Sequence, residues 1–526
     1  MSEIHPIQIE IYRNLFASIA EEMGTVLKRT SYSPNIKERR DYSCALFDHK
    51  GDVIAMGAHM PVHLGSMPLS VKAALDAFPL NPGDVVILND PFAGGTHLPD
   101  ITMIAPVFSP SAGDDPIFFV ASRAHHSDVG GMVPGSMPLS QEIFQEGVRI
   151  PPLKLYESGL LNRGMLSLLL FNVRTPLERE GDLAAQVGSL RVGDRRLLEL
   201  LERNGLEEVQ NSIEALHLYA ERTMRHVISS IPDGVYQAED FLDDDGIETA
   251  SSIRLKVSLE VVGDQLSIDF SGTDAQVQGC VNAVEAITLS AVFYVLRCLA
   301  PEDIPTSAGL MRPLQVTIPE GSVLNAMYPS ATAGGNVETA QRVVDLLLRA
   351  LAEAIPDRIP AASSGTMNNV SIGGIHPSSG RPFTYYETIG GGMGAGPERD
   401  GDSGIHTHMT NSLNTPIEAL ERYYPIRVRE YRLRQNSGGK GKRRGGDGIV
   451  RSLEMLTDCH VTILSERRKH SPYGLNGGES GRKGVNFLQP PKGRRKRLKG
   501  KESIRLKRGE ALVIETPGGG GWGKAE

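Results

Sequence analysis

Cysteine is scarce in this sequence. Cys44, Cys280, Cys298 and Cys459 are scattered over 526 residues without any CxxC pair, which excludes a disulfide framework or a thiolate zinc site and points to a reducing cytoplasm. Long hydrophobic runs are missing too. Nothing approaches the ~18 uninterrupted apolar residues that a membrane span requires, and the opening stretch "MSEIHPIQIEIYRNLF" has no basic segment leading into an apolar core. The expectation is a protein that neither enters a membrane nor is exported. Positive charge is sparse outside the C-terminal fifth, where "GGKGKRRGG" and "PPKGRRKRLKGKESIRLKRGE" stand in a chain of formal net charge -8. No aromatic residue interleaves "GRRKRLKGK", so a base-stacking nucleic-acid surface is excluded in favour of a solvated loop or a face toward an acidic partner. Two catalytic signatures are absent as well: there is no GxxxxGK[ST] nucleotide loop and no GxSxG nucleophile elbow. ATP binding by this chain alone and serine-type covalent catalysis are therefore not expected.

Glycine and proline are plentiful, at 57 and 33 residues, and predict many turns between short elements. Ile11, Leu15, Ile19 and Met23 recur at the spacing of an amphipathic helix over residues 7–28. "DYSCALFDHKGDVIAMG" predicts a hairpin, and "GDVVILNDP" and "PIFFVASRAHH" read as further strands. Helical periodicity returns between Pro176 and His226, and "RLKVSLEVVGDQLSIDFSGT" is a second hairpin followed by the buried helix "VNAVEAITLSAVFYVLRCLA". The expected fold is multidomain α+β, with mixed sheets, packed helices and a β-rich C-terminal region. A metal-site domain over 1–230, a middle α+β domain over 231–424 and the C-terminal region 425–526 divide it, since a single core stops growing near ~250–300 residues.

Two of the predicted strands end on dense polar runs, "LNDPFAGGTHLPDITM" and "SRAHHSDVGG". His97 and Asp100 lie three residues apart, with Pro99 stiffening the turn between them, so an imidazole nitrogen and a carboxylate oxygen can reach one ion at ~2.0–2.2 Å. Alone, this pair reads more readily as a histidine bonded to its own turn. If "FVASRAHHSDVGG" ends a strand, alternation sends Arg123 and His125 one way and His126 and Asp128 the other. One histidine then joins the site, and its neighbour remains as an outer or substrate contact. Asp41, at a strand start, is either a further acid for the site or an ion pair of Arg39 or Arg40. Two histidines and two carboxylates suit Mn²⁺, Zn²⁺ or Fe²⁺, and leave positions open for hydrolytic or Lewis-acid chemistry. His59 and His63 read as loop residues near the site. His406 and His408 fall on one side of a strand-like segment and read as structural, and Glu338 reads as an acid favoured by a helix N-terminus. The glycine-rich "YETIGGGMGAGPERDGD" could cradle an anion through its backbone N–H groups, but it lacks the pattern and the strand–loop–helix context of a nucleotide loop.

Several stretches carry a resemblance along essentially the whole chain: "ERRDYSCALFDHKGDVIAMG", "NDPFAGGTHLPDITM", "RAHHSDVGGMVPGSMP", "GGNVETAQRVVDLLLRAL", "HMTNSLNTPIEALE", "GGKGKRRGGDGIVR" and "TPGGGGWG". Together they resemble the hydantoinase B/oxoprolinase family, which includes B subunits of ATP-dependent N-methylhydantoinases and lactamases, part of 5-oxoprolinases and a subunit of acetone carboxylases. The resemblance implies a hydantoinase A type partner with an actin-like ATPase fold that binds Mg-ATP and phosphorylates a small cyclic amide. It also implies a divalent transition metal (Zn, Mn or Fe) held here by Asp41, His97, Asp100 and a histidine of "AHH", taken as His125. His126 and Asp128 are then the expected catalytic proton shuttles. A dimer of heterodimers follows as the expected assembly, with an acetone-carboxylase-type subunit or a non-catalytic scaffold for the ATPase as alternatives.

Overall fold

The computed structural model describes residues 5–109 and 113–525. It has the expected mixed α+β, multidomain architecture, and among the described residues no helix is long and apolar enough to cross a membrane.

The first helix, α1 (Pro6–Thr30), buries Tyr12, Phe16, Ile19, Met23 and Leu27, so the helix is where the period placed it, but Ile11 and Leu15 of the predicted stripe are exposed and the buried face is carried by Tyr12 and Phe16 instead. A single turn, α2 (Pro34–Lys37), leads into the hairpin of β1 (Tyr42–Asp48) and β2 (Val53–Met56). Asp48 closes that hairpin by accepting the N–H groups of Lys50 and Asp52. After α3 (Met67–Ala77) come β3 (Val85–Leu88), β4 (Asp100–Val107), β5 (Phe118–His125), β6 (Leu153–Glu157) and β7 (Leu160–Leu161). These strands form one seven-stranded sheet in the order β2-β1-β5-β4-β3-β6-β7. The helices α4 (Arg163–Phe171), α5 (Pro176–Asn204) and α6 (Leu206–Ser229) follow. Alternation sorts the sheet. Cys44, Leu46, Ile101, Met103 and Val120 pack with α1 and α5 in one apolar cluster, while Ala45, Phe47, Ile104 and Ala121 pack with α3 in another.

Residues 234–317 build a second sheet, β11-β10-β9-β8, from β8 (Gly234–Leu242), β9 (Ile253–Val262), β10 (Gln265–Asp269) and β11 (Leu314–Thr317). The apolar helices α7 (Glu285–Leu299) and α8 (Ala340–Ala354) share its core. A π-turn over Gly335–Thr339 precedes α8. A third sheet joins β12 (Asn369–Ile375) and β13 (Pro382–Glu387) to the strands Cys459–Leu464 and Lys501–Leu506. Segments before and after residue 425 thus share one sheet. Residues 491–497 are exposed; the last two belong to a short strand, Lys496–Leu498, that pairs with the strand Val485–Gln489.

The glycine-rich tail is a structural member in its own right. Residues 516–523 thread between three other glycine-rich segments and bond to each. Gly392 donates to Pro517 O, Gly439 to Gly519 O and Ala395 to Gly520 O, while Gly519 donates to Gly446 O and Gly521 to Glu479 O. A Cβ added at Gly518, Gly519, Gly520 or Gly521 would fall inside the carbonyl oxygens of Ser437, Met393, Tyr473 and Lys440 respectively. Four consecutive residues are in backbone-to-backbone contact on different sides, a packing that admits no side chain.

Candidate functional site

Sheet register builds the site. In the antiparallel pairing of β4 with β5, Asp100 stands opposite His125. On the other side of β5, the His125 N–H donates to Asp41 O just ahead of β1. Asp41, His125 and Asp100 therefore form a row across three neighbouring strands, and directly opposed residues share a face. His97 enters from the loop before β4, which turns at Gly94 with φ of 83°, the left-handed conformation that favours glycine.

The result is a buried cluster. One ligand atom each from His97, Asp100 and His125 lies within 4.8 Å of the others. His97 Nε2 is 3.2 Å, and His125 Nδ1 3.3 Å, from Asp100 Oδ1. His63 Nε2 approaches Asp100 Oδ2 at 3.5 Å. Relative exposures are 0% for His97, 1% for Asp100 and 2% for His125, so water has no direct access. Burial alone would raise the pKa of Asp100, but the imidazoles of His97, His125 and His63 outweigh it and hold the carboxyl well below the usual carboxylate range.

Other segments complete the shell. Thr96 Oγ1 donates to Asp100 Oδ2 at 2.8 Å. The His97 Nδ1 lies 3.4 Å from Ala333 O; with the proton there, Nε2 is left as a lone pair. Asn336, on the π-turn, sets its Nδ2 at 3.0 Å from that lone pair and 3.3 Å from Asp100 Oδ2. Glu146 anchors the same loop by accepting the N–H groups of Thr332 and Ala333. Tyr386 of β13 stacks on His125. Arg123 is fully buried among the hydroxyls of Ser66, Ser70 and Thr102.

The remaining candidates are distributed as follows. Asp41 borders the cluster but is not among the three mutually close ligand groups. His126 turns away, with Nε2 at 2.9 Å from Gln186 Oε1 of α5, and burial, aided by Arg179, lowers its pKa to about 4. Asp128 lies past the end of β5, where alternation no longer applies. Its carboxylate is occupied by the Gly130 N–H and by the backbone and guanidinium of Arg174, and Arg174 in turn lines a groove of 840 Å³ with Tyr32, Leu177 and Tyr423. His59 faces Glu21 instead of the cluster. His406 and His408 lie in a segment that forms no strand; a φ of 56° at His408 breaks the extended chain, and its Nε2 lies 3.4 Å from Asp345 Oδ1. His63 was legible only as a neighbour, and Asn336 and Tyr386 carried no signal beyond the glycines before Asn336.

Glu338 does stand at a helix start, in the π-turn ahead of α8. It is wholly buried, Oε1 accepts from Met367 N and Asn369 Nδ2, and Oε2 has no partner. Burial pushes its pKa up to about 8 from an ordinary 4.5. A raised folded-state pKa gives stability that is complete below the ordinary value and is lost as pH rises through about 8. We therefore expect the stability of wild type to fall relative to Glu338→Gln between about pH 5 and 9, read as the difference in melting temperature across that range. A constant difference would refute it.

Comparison with known proteins agrees along the chain. The family model described as Hydantoinase B/oxoprolinase matches residues 5–525. An uncharacterised protein of Methanocaldococcus jannaschii is 42% identical over 523 residues, with 98% of this chain and 90% of that protein covered. 5-Oxoprolinase 1 of Arabidopsis thaliana is 42% identical over 98% of this chain, which spans only 42% of that longer relative. A putative B subunit of a D-/L-hydantoinase, from Pseudomonas sp. strain NS671, is 32% identical, over 91% of this chain and 83% of its own. The crystal structure of an ATP-dependent caprolactamase from Pseudomonas jessenii superposes with a TM-score of 0.92 at 29% identity, covering 99% of this chain and 92% of that one. A nucleotide-free acetone carboxylase structure gives 0.90 at 19% identity, over 99% of this chain and 76% of that one, a likeness of fold alone.

Proposed function

The chain belongs to the hydantoinase B/oxoprolinase family, and from that premise we propose that it is the ring-opening subunit of an ATP-dependent complex acting on a cyclic amide: a hydantoin, 5-oxoproline or a lactam. The observation that carries the reading is the convergence of His97, Asp100 and His125 in a fully buried site. The residues fit a divalent transition ion. Lone pairs of His97 Nε2 and Asp100 Oδ2 converge on the hydrogen-bearing side of the Asn336 amide, His125 Nδ1 faces Asp100 Oδ1 at 3.3 Å, and His63 Nε2 has no hydrogen-bond partner. His97, Asp100 and His125 would hold the ion, with Asp41 at the border, and the set of imidazoles and carboxylates suits Zn, Mn or Fe. Such an ion supplies Lewis acidity, lowering the pKa of water from 15.7 toward about 7.

The chain's own residues account for the rest. Burial of the cluster excludes bulk water, which protects a reactive phosphorylated amide. His63, tied to Ser43 Oγ through Nδ1 at 2.8 Å, keeps Nε2 free to accept a proton. It suits that role better than His126 or Asp128, which are engaged with Gln186 and Arg174. With no nucleotide loop in this chain, activation falls to a hydantoinase A type ATPase partner working with Mg-ATP. Phosphorylation of the amide oxygen activates the ring carbon. Water adds there, the C–N bond breaks, and a second water hydrolyses the resulting acyl phosphate. Direct transfer of the intermediate favours stable association, with a dimer of heterodimers as the simplest closed assembly.

Co-expression with an ATPase subunit, size-exclusion chromatography and assays with hydantoin, 5-oxoproline and caprolactam test this. Ring opening coupled to ADP release is expected only in the co-eluting complex. Ring opening by this chain alone, without nucleotide, refutes the division of labour. Bicarbonate-dependent consumption of a ketone would instead assign a carboxylase.

A further inference from the structure

A ligating histidine is normally fixed by a hydrogen bond from its second ring nitrogen to a carboxylate, carbonyl or water. No protein group supplies that restraint to His125. Its Nδ1 faces Asp100, and its Nε2 is buried without a partner. What does hold the ring is Tyr386, stacked on it with centroids 4.4 Å apart and planes 13° from parallel.

Tyr386 is itself clamped on three sides. The Arg39 guanidinium lies 5.1 Å from its ring centroid, and Arg39 Nη1 donates to the Tyr386 carbonyl at 3.0 Å. The phenol donates to Asn369 Oδ1 at 2.7 Å. Asn369 cannot turn over, because Nδ2 donates to both Glu338 Oε1 at 2.6 Å and Leu464 O at 3.1 Å. A flipped amide would set its oxygen against two acceptors, at a cost of buried unsatisfied groups. Glu338, Asn369 and Tyr386 are each at most 2% exposed, so no solvent competes for these bonds.

We propose that Tyr386 is the positioning residue of His125, its stacked ring replacing the missing outer hydrogen bond, with the Asn369–Glu338 pair behind it fixing the tyrosine. The proposal rests on reading His97, Asp100 and His125 as metal ligands. Tyr386 touches neither the ion nor the substrate; it acts through the imidazole plane.

The test is titration of the full-length, metal-stripped chain with Co²⁺ alone. Affinity is read by chelator competition and ligand geometry by the visible absorption of cobalt, with thermal melting to confirm folding. Tyr386→Leu should weaken cobalt binding about ten- to a hundredfold, the range for lost outer-shell support, and alter the absorption bands. Tyr386→Phe, which keeps the ring but loses the phenol bond, and Asn369→Ala should each weaken it several-fold. Folded Tyr386→Leu with wild-type affinity and spectrum would overturn the proposal. If the leucine variant does not fold, unchanged affinity and bands in both milder variants overturn it equally. His97→Ala is the separate control: if it binds cobalt as wild type does, the ligand assignment itself fails and the positioning role with it.

Discussion

Asp100→Ala should retain no stoichiometric transition metal on elemental analysis, and ring opening in the ATPase-containing complex should slow by more than about a hundredfold, beyond the range for outer-shell losses. Asp100 is the one carboxylate among the three mutually close groups and the point on which His97, His125 and His63 converge. Without it, neutral nitrogens face one another with no negative charge to offset a dication. Asp100→Asn, which keeps the shape and an acceptor for Thr96, should lose metal equally and so separate charge from packing. The histidine pair sharpens the test. His125→Ala should strip the metal and His126→Ala should not, because His126 bonds to α5 on the other side of the sheet. Full metal and full activity in Asp100→Ala would refute the site, and equal loss in both histidine variants would refute the strand-end geometry.

Alanine at Gly519 or Gly520 should cost more than about 3 kcal/mol, the upper part of the range for overpacking, because the added methyl meets main-chain carbonyls that no rotamer change can move. The expected readouts are loss of a cooperative melt and rapid proteolysis of the C-terminal region. Gly188→Ala makes the same chemical change within α5, where nothing lies within 4 Å of the new carbon. It should be neutral or stabilising by about 0.5–1 kcal/mol. Similar melting curves for all three variants would show that the glycine-rich segments are not packed as described.

What could be read from the sequence was local. The spacing of Ile11, Leu15, Ile19 and Met23 marked α1, and the strand-end position of His97, Asp100 and His125 followed from short patterns whose register the sheet preserves. Asp128 and His408 escaped because alternation holds only while the chain stays extended, and both lie outside strands. Asn336 and Tyr386 reach the cluster through packing between distant segments, which no periodicity encodes. Glu338 looked like a helix-start acid because charge preference at a helix terminus is a local rule, whereas its burial is set by β12 and its neighbours. The shared sheet across residue 425 was hidden for the same reason, since strand pairing between remote segments leaves no mark in either strand.

The candidate site draws on residues made far apart in time. At ~5–20 residues per second, Tyr386 leaves the ribosome roughly 15–50 s after His125, and Asn336 only shortly before Tyr386. During that interval the chain made so far lacks both the amide and the aromatic ring that cover His97 and His125 in the folded protein. If the cluster holds an ion, the segments carrying Asn336 and Tyr386 are the last to close over it, so the order of synthesis would decide when the ion is enclosed.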